Sequence, residues 1–175
     1  MVDRNRINHN GAFPGCTVGT MGCLPNHGIY AYGQDYKIVN NLFYDNEGFG
    51  VQQNGSPSSA YNPAASAGPG FAGALRWIIA NNTFAYSYKA AGLVIWGALC
   101  SNTRVENNIL YENRVLGSST STNGVHFTSP TGTTGVQIRN SLAFASGAGG
   151  TGFIGTAGVE GVHYTQSGNI TTLNP

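Results

Sequence analysis

Acid–base chemistry near neutral pH would have to come from four histidines and seven carboxylates. His27 and His126 are the histidines best placed to serve as a general base, because an imidazole titrates close to neutral pH. His27 opens an apolar segment, and His126 lies inside one where alternation turns it outward. For each, a hydrogen-bonded surface histidine is the plainer alternative. Asp45 with Glu47, near Lys37 and Asp35, is the densest charge group and the candidate for a calcium-binding or catalytic role. Asp45 and Glu112 also occupy equivalent positions of a repeat, where solvated turn residues are the competing reading. Arg104, Glu106 and Arg139 are placed for an ion pair between neighbouring repeats, which would carry little energy. No Ser-His-Asp, Cys-His, Gly-rich phosphate or metal-ligand motif stands out. No metal site and no cofactor are expected, with calcium left open.

Composition narrows the partners. Charged residues make up 9% of the chain and the formal net charge is +1, against a usual charged share of about a quarter. No run of Lys or Arg supplies the basic stripe that nucleic acid requires, so that class is set aside. No stretch reaches the length of a membrane span, and no membrane insertion is expected. Hydrophobic residues at 41% allow a real core. The polar opening, Met1 to Asn10, does not look like a signal peptide. Cys16 and Cys23, seven apart in a Gly- and Thr-rich loop, have the spacing of a small disulfide; two unpaired loop thiols are the alternative. That pair favours a mature extracellular or cell-surface protein. Cys100 reads as a small buried residue.

The elements that would position these groups come from an internal repeat. An Asn pair flanked by apolar residues recurs at Asn40-Asn41, Asn81-Asn82 and Asn107-Asn108, with a degraded copy at Asn140-Ser141. Partial copies contain Asn5 and Asn169. With Asn5, Asn41, Asn82, Asn108, Ser141 and Asn169 in register, the steps are 36, 41, 26, 33 and 28 residues. Such uneven steps suit a β-solenoid, which keeps its strands and lets loops bulge. The insertions fall at about 11–26 and 55–73. An Asn at a sharp bend can adopt a left-handed conformation and hydrogen-bond the Asn of the next coil.

A second phrase, Gly followed by apolar residues, appears at Gly28-Ile29, Gly50-Val51, Gly92-Leu93 and Gly124-Val125, and less regularly at Gly152-Phe153. With Ile29, Val51, Leu93 and Val125 inward, alternation exposes Tyr30, Gln52, Val94 and His126, and then Tyr32, Asn54, Trp96 and Thr128. Aromatic faces beside amide donors suit a sugar ring with its apolar face and rim of hydroxyls. A loop folded over this face would bury it instead. The ligand set predicted is Tyr30, Tyr32, Gln52, Asn54, Trp96 and His126.

These Asn-Asn corners, Gly-apolar strands and the phrase His27-Gly28-Ile29-Tyr30 resemble the right-handed parallel β-helix repeat proteins of the pectate-lyase-like superfamily. The resemblance covers nearly the whole chain. It implies an all-β, single-domain solenoid of about six coils over residues 1–175, with little or no helix. It also implies a polysaccharide along one outer sheet face, with lyase or hydrolase chemistry where the required charged groups exist. A non-catalytic binding, adhesive or structural module is the alternative, because fold alone does not fix activity. The resemblance implies an N-terminal capping helix that the first residues do not form. The chain is therefore expected to be part of a longer solenoid or to associate with copies of itself through open end coils.

Overall fold

The computed structural model describes residues 1–10, 26–55, 73–87, 91–113, 124–144, 154 and 157–170. The first coil is formed by β1 (Val2–Asp3), β2 (Arg6–Asn8) and β3 (Ile29–Ala31), and the second by β4 (Lys37–Val39), β5 (Leu42–Tyr44) and β6 (Val51–Asn54). The third has β7 (Ile78–Ala80), β8 (Thr83–Ala85) and β9 (Leu93–Trp96); the fourth has β10 (Arg104–Glu106), β11 (Ile109–Tyr111) and β12 (Val125–Thr128). β13 (Val136–Arg139) and β14 (Leu142–Phe144) begin the fifth coil, and β15 (Tyr164–Ser167) the sixth. Each strand pairs in parallel with its counterpart one coil away, making three sheets. Sheet A contains β1, β4, β7, β10, β13 and β15; sheet B contains β2, β5, β8, β11 and β14; sheet C contains β3, β6, β9 and β12. The protein is a right-handed parallel β-helix.

Strand alternation sends one column of each sheet inward. Ile38, Ile79, Val105 and Ile138 line sheet A; Phe43, Phe84 and Leu110 line sheet B; Val51, Leu93 and Val125 line sheet C, all essentially inaccessible. Phe43 and Phe84 stack at 4.9 Å and 9°. The glycines that precede sheet C are there for space. A Cβ on Gly50 would lie 2.6 Å from the Phe84 ring and 2.8 Å from the Gly92 carbonyl oxygen. One register changes: Ile154, rather than Phe153, pairs with Val125. Gly152 and Phe153 lie outside the described residues, as do Cys16, Cys23 and nearly all of both loop insertions.

At the corner between sheets A and B the two asparagines divide the work. The first takes the left-handed conformation, with φ of 58° at Asn40, 56° at Asn81, 54° at Asn107 and 48° at Asn140. The second turns inward and builds the ladder. The Asn41 backbone N–H and side-chain amide both donate to Asn82 Oδ1, at 2.9 and 3.0 Å, and Asn82 repeats this on Asn108 Oδ1. Each amide also reaches back to a carbonyl of the preceding coil, Asn82 to Ile38 and Asn108 to Ile79. Asn5 donates to Asn41 and Ser141 to Asn169 in the aligned register. A second set of rungs lies after sheet B: Asn10 donates to Asn46, and the Ser87 N–H to Asn113. The sequence pattern did not disclose this column.

Ser141 weakens the first ladder. Asn108 meets it through a single bond from its N–H to Ser141 Oγ, and that hydroxyl donates within its own coil to the Arg139 carbonyl. An Asn82→Ala protein should lose about 3 kcal/mol, because the buried Asn41 N–H would lose its acceptor and the side-chain bond to Asn108 would go with it. Asn81→Gly should stay within about 1 kcal/mol of the wild type, since glycine accepts the left-handed corner. Ser141→Asn should stabilise by about 1 kcal/mol through restored rung bonds. Denaturant unfolding of the three variants measures all of these differences; equal costs for Asn81→Gly and Asn82→Ala would contradict the division of roles.

Candidate functional site

Sheet C places Tyr30, Gln52, Val94 and His126 in one outer column and Asn54, Trp96 and Thr128 in the next. Their orientation agrees with alternation, but their exposure does not. Tyr30 and Trp96 are 38% and 37% exposed, whereas Gln52, Asn54 and Val94 are buried. The expectation that Gln52 and Asn54 lie open on the surface is therefore corrected. Val94 packs with Phe49 and Ala91 into a small apolar cluster outside the main core. The Asn54 amide donates to the Tyr30 hydroxyl at 2.6 Å, and that hydroxyl meets the Tyr32 hydroxyl at 2.8 Å. Tyr30 is thus fixed by two neighbours while part of its ring stays exposed.

His27 stacks on this group. Its ring lies 5.6 Å from Tyr30 and 5.1 Å from Phe49, and its Nδ1 accepts the Phe49 N–H at 2.9 Å. Burial lowers its pKa to about 4. A neutral ring with Nδ1 occupied carries its proton on Nε2, so it can donate to a ligand but offers no free lone pair. His126 is half-buried, its pKa is also lowered by burial, and its Nδ1 is buried with no partner. An orphaned acceptor costs less than an orphaned N–H, which favours the same Nε2–H tautomer. His27 thus keeps Nε2–H as its donor, while His126 keeps an unpartnered Nδ1.

The charge group of Asp35, Lys37, Asp45 and Glu47 does not assemble. Asp35, at the corner before sheet A, takes a two-pronged pair from Arg76 of the next coil at 2.8 and 2.7 Å, which lowers its pKa. Lys37 is exposed on sheet A, in register with Ile78. Asp45 lies at the corner after sheet B, 3.7 Å from His9 Nε2, and Glu47 is buried just beyond it. The ion pair on sheet A forms within one coil rather than between coils: Arg104 approaches Glu106 of its own strand at 3.8 Å, and Arg139 is only in register with Glu106 from the next coil. Among the described residues, no group of three or more His, Cys, Asp or Glu side chains is arranged to hold a metal ion. Cys100 is buried, as expected, and burial pushes its thiol pKa up to about 12.

A second aromatic group escaped sequence reasoning. Tyr44, Ala85, Tyr111 and Phe144 share one outer column of sheet B. The corner that follows carries His9, Asp45, Tyr86 and Glu112, all with left-handed φ. Tyr86 is 38% exposed and its ring meets Tyr111 edge-on at 5.5 Å. The Tyr111 hydroxyl donates to Glu112 at 2.6 Å, and its pKa rises to about 12 as a result. Asp45 and Glu112 are two coils apart, about 10 Å at the backbone, with Tyr86 between them. The visible signal was an aromatic residue three or four places after the second residue of each pair.

With the stacked coils and both aromatic faces described, the comparison with known families is specific for architecture. A family described as Protein of unknown function (DUF1565) matches residues 8–149. The chain belongs to that family. DUF1565 is a family of parallel β-helix proteins, in agreement with the three parallel sheets. No curated protein and no solved structure matches the chain. The DUF1565 match spans the Asn corners, both aromatic faces and His27.

The imidazole of His27 also sets a pH dependence in this DUF1565 chain. Its folded pKa of about 4 lies below the ordinary 6.5, so the unfolded chain binds the proton more readily. The associated stability is complete above about pH 6.5 and falls as the pH drops toward 4, by about 3 kcal/mol. His27→Gln should flatten the stability profile across that window in urea titrations. A variant profile as steep as the wild type would show that other groups cause the acid loss.

Proposed function

We propose that this chain is a secreted or cell-surface carbohydrate-binding solenoid that holds a polysaccharide on the outer face of sheet C. The observation that carries this reading is the exposed pair Tyr30 and Trp96, with Tyr30 fixed by Asn54 and Tyr32. A rigid ring offers a sugar its stacking surface without losing conformational freedom on binding. His27 and His126, as Nε2–H donors, supply hydrogen bonds for hydroxyl or carboxylate oxygens. At His27 this arrangement favours recognition over cleavage, since its Nδ1 lone pair is already taken by the Phe49 N–H. Low charge and an Asn-, Ser- and Thr-containing surface suit a glycan partner, and the Cys16/Cys23 spacing suits an oxidising setting.

The two tryptophans provide a direct test. Trp77 is buried and Trp96 is exposed, so a polysaccharide on sheet C should change the emission of Trp96 and leave that of Trp77. In affinity electrophoresis against neutral and uronic-acid polymers, Trp96→Ala should weaken binding about ten-fold through loss of one ring contact. Incubation with the same polymers, followed by reducing-end and unsaturated-uronate assays, should show no product. Wild-type affinity in Trp96→Ala would remove sheet C as the site, and product formation would overturn the non-catalytic reading.

A further inference from the structure

We infer that the corner between sheets B and C is a second glycan site, selective for neutral sugars, formed by Tyr44, Tyr86 and Tyr111 with Asp45 and Glu112. It rests on the reading of the chain as a carbohydrate binder but on different residues. The first support is where the rings lie. Tyr44 and Tyr111 stand in one outer column of sheet B, two coils and about 10 Å apart along the axis. Tyr86 projects from the intervening coil, 38% exposed, with its ring edge-on to Tyr111. Aromatic surface is therefore available along a line longer than one sugar ring.

Charge decides the class of ligand. From the second coil to the fifth, the described outer positions of sheet B and this corner carry Asp45 and Glu112 and no lysine or arginine. Arg6 lies one coil before, with its guanidinium 4.8 Å from the Tyr44 ring centroid, and His9 approaches Asp45. Ionised carboxylates accept hydrogen bonds and donate none, which suits the paired hydroxyls of a neutral hexose. A uronate beside Tyr86 and Tyr111 would meet the like charge of Glu112, on the far side from Arg6 and His9.

Backbone conformation gives a separate sign. At the corner between sheets A and B, the left-handed position is filled by Asn in four successive coils. At this corner it is filled by His9 at 54°, Asp45 at 52°, Tyr86 at 55° and Glu112 at 43°. His and Asp enter that conformation comparatively readily, whereas Tyr and Glu are poorly suited to it. Retained strain of this kind is common where a side chain is kept for contact with a ligand.

The test uses the full chain with hydroxyethyl cellulose as the neutral polymer and polygalacturonate as the acidic one, in affinity electrophoresis. Tyr86→Asn should keep or raise the melting temperature while weakening hydroxyethyl cellulose binding about ten-fold. Glu112→Gln should narrow the preference for the neutral polymer. Trp96→Ala separates the two sites: retained binding of hydroxyethyl cellulose in that variant, lost on adding Tyr86→Asn, supports this corner. Complete loss in Trp96→Ala alone, or unchanged affinity in both corner variants, overturns this corner and leaves sheet C standing. Absence of binding to either polymer by the wild type overturns both.

Discussion

A polypeptide corner buried inside a protein leaves amide groups that must find partners, and every coil of this solenoid turns such a corner between sheets A and B. The solution is a side-chain amide placed in the same position coil after coil. Asn41, Asn82 and Asn108 each accept from the coil before and donate to the coil after, so no rung is complete alone. Left unpaired, each such group would cost about 1–3 kcal/mol. This requirement holds the three sheets in one register while the chain between corners changes length. Loops can then lengthen on the way to sheet C without disturbing the frame that carries the aromatic residues.

That constraint also explains what the sequence disclosed. The ladder demands the same residue type at the same place, so Asn5, Asn41, Asn82, Asn108, Ser141 and Asn169 could be aligned by inspection, and the hydrogen bonds follow that alignment. The rungs at Asn10, Asn46, Ser87 and Asn113 were less visible because the residue before each one varies. Alternation correctly turned Gln52, Asn54 and Val94 outward, yet it reports direction from the sheet and not what lies above it. Phe49 and Ala91, which precede their strands, make the apolar neighbours of Val94. Proximity in sequence misled for Asp35, Lys37, Asp45 and Glu47, because corners send neighbouring residues to different faces. Tyr44 and Tyr86 went unassigned because one lies on a strand and the other at the following corner, and no single period contains both.

The two aromatic faces differ in how they are built. On sheet C, Tyr30 is held on the outer face by hydrogen bonds to Asn54 and Tyr32 while Gln52, Asn54 and Val94 are buried, so the surface is small and rigid. On the sheet B side the tyrosine hydroxyls are tied to charged partners, Tyr44 to Arg6 and Tyr111 to Glu112. The first arrangement concentrates neutral donors and the second concentrates acceptors. A solenoid can keep such surfaces apart because each sheet faces a different direction on one shared core.

Ser141 has a mechanical consequence. Asn41 and Asn82, and again Asn82 and Asn108, are joined by two hydrogen bonds, whereas Asn108 and Ser141 share one. Along this corner the ladder therefore grips the fourth and fifth coils by one bond fewer, and their junction leans more on the backbone pairing of β10 with β13 and β11 with β14.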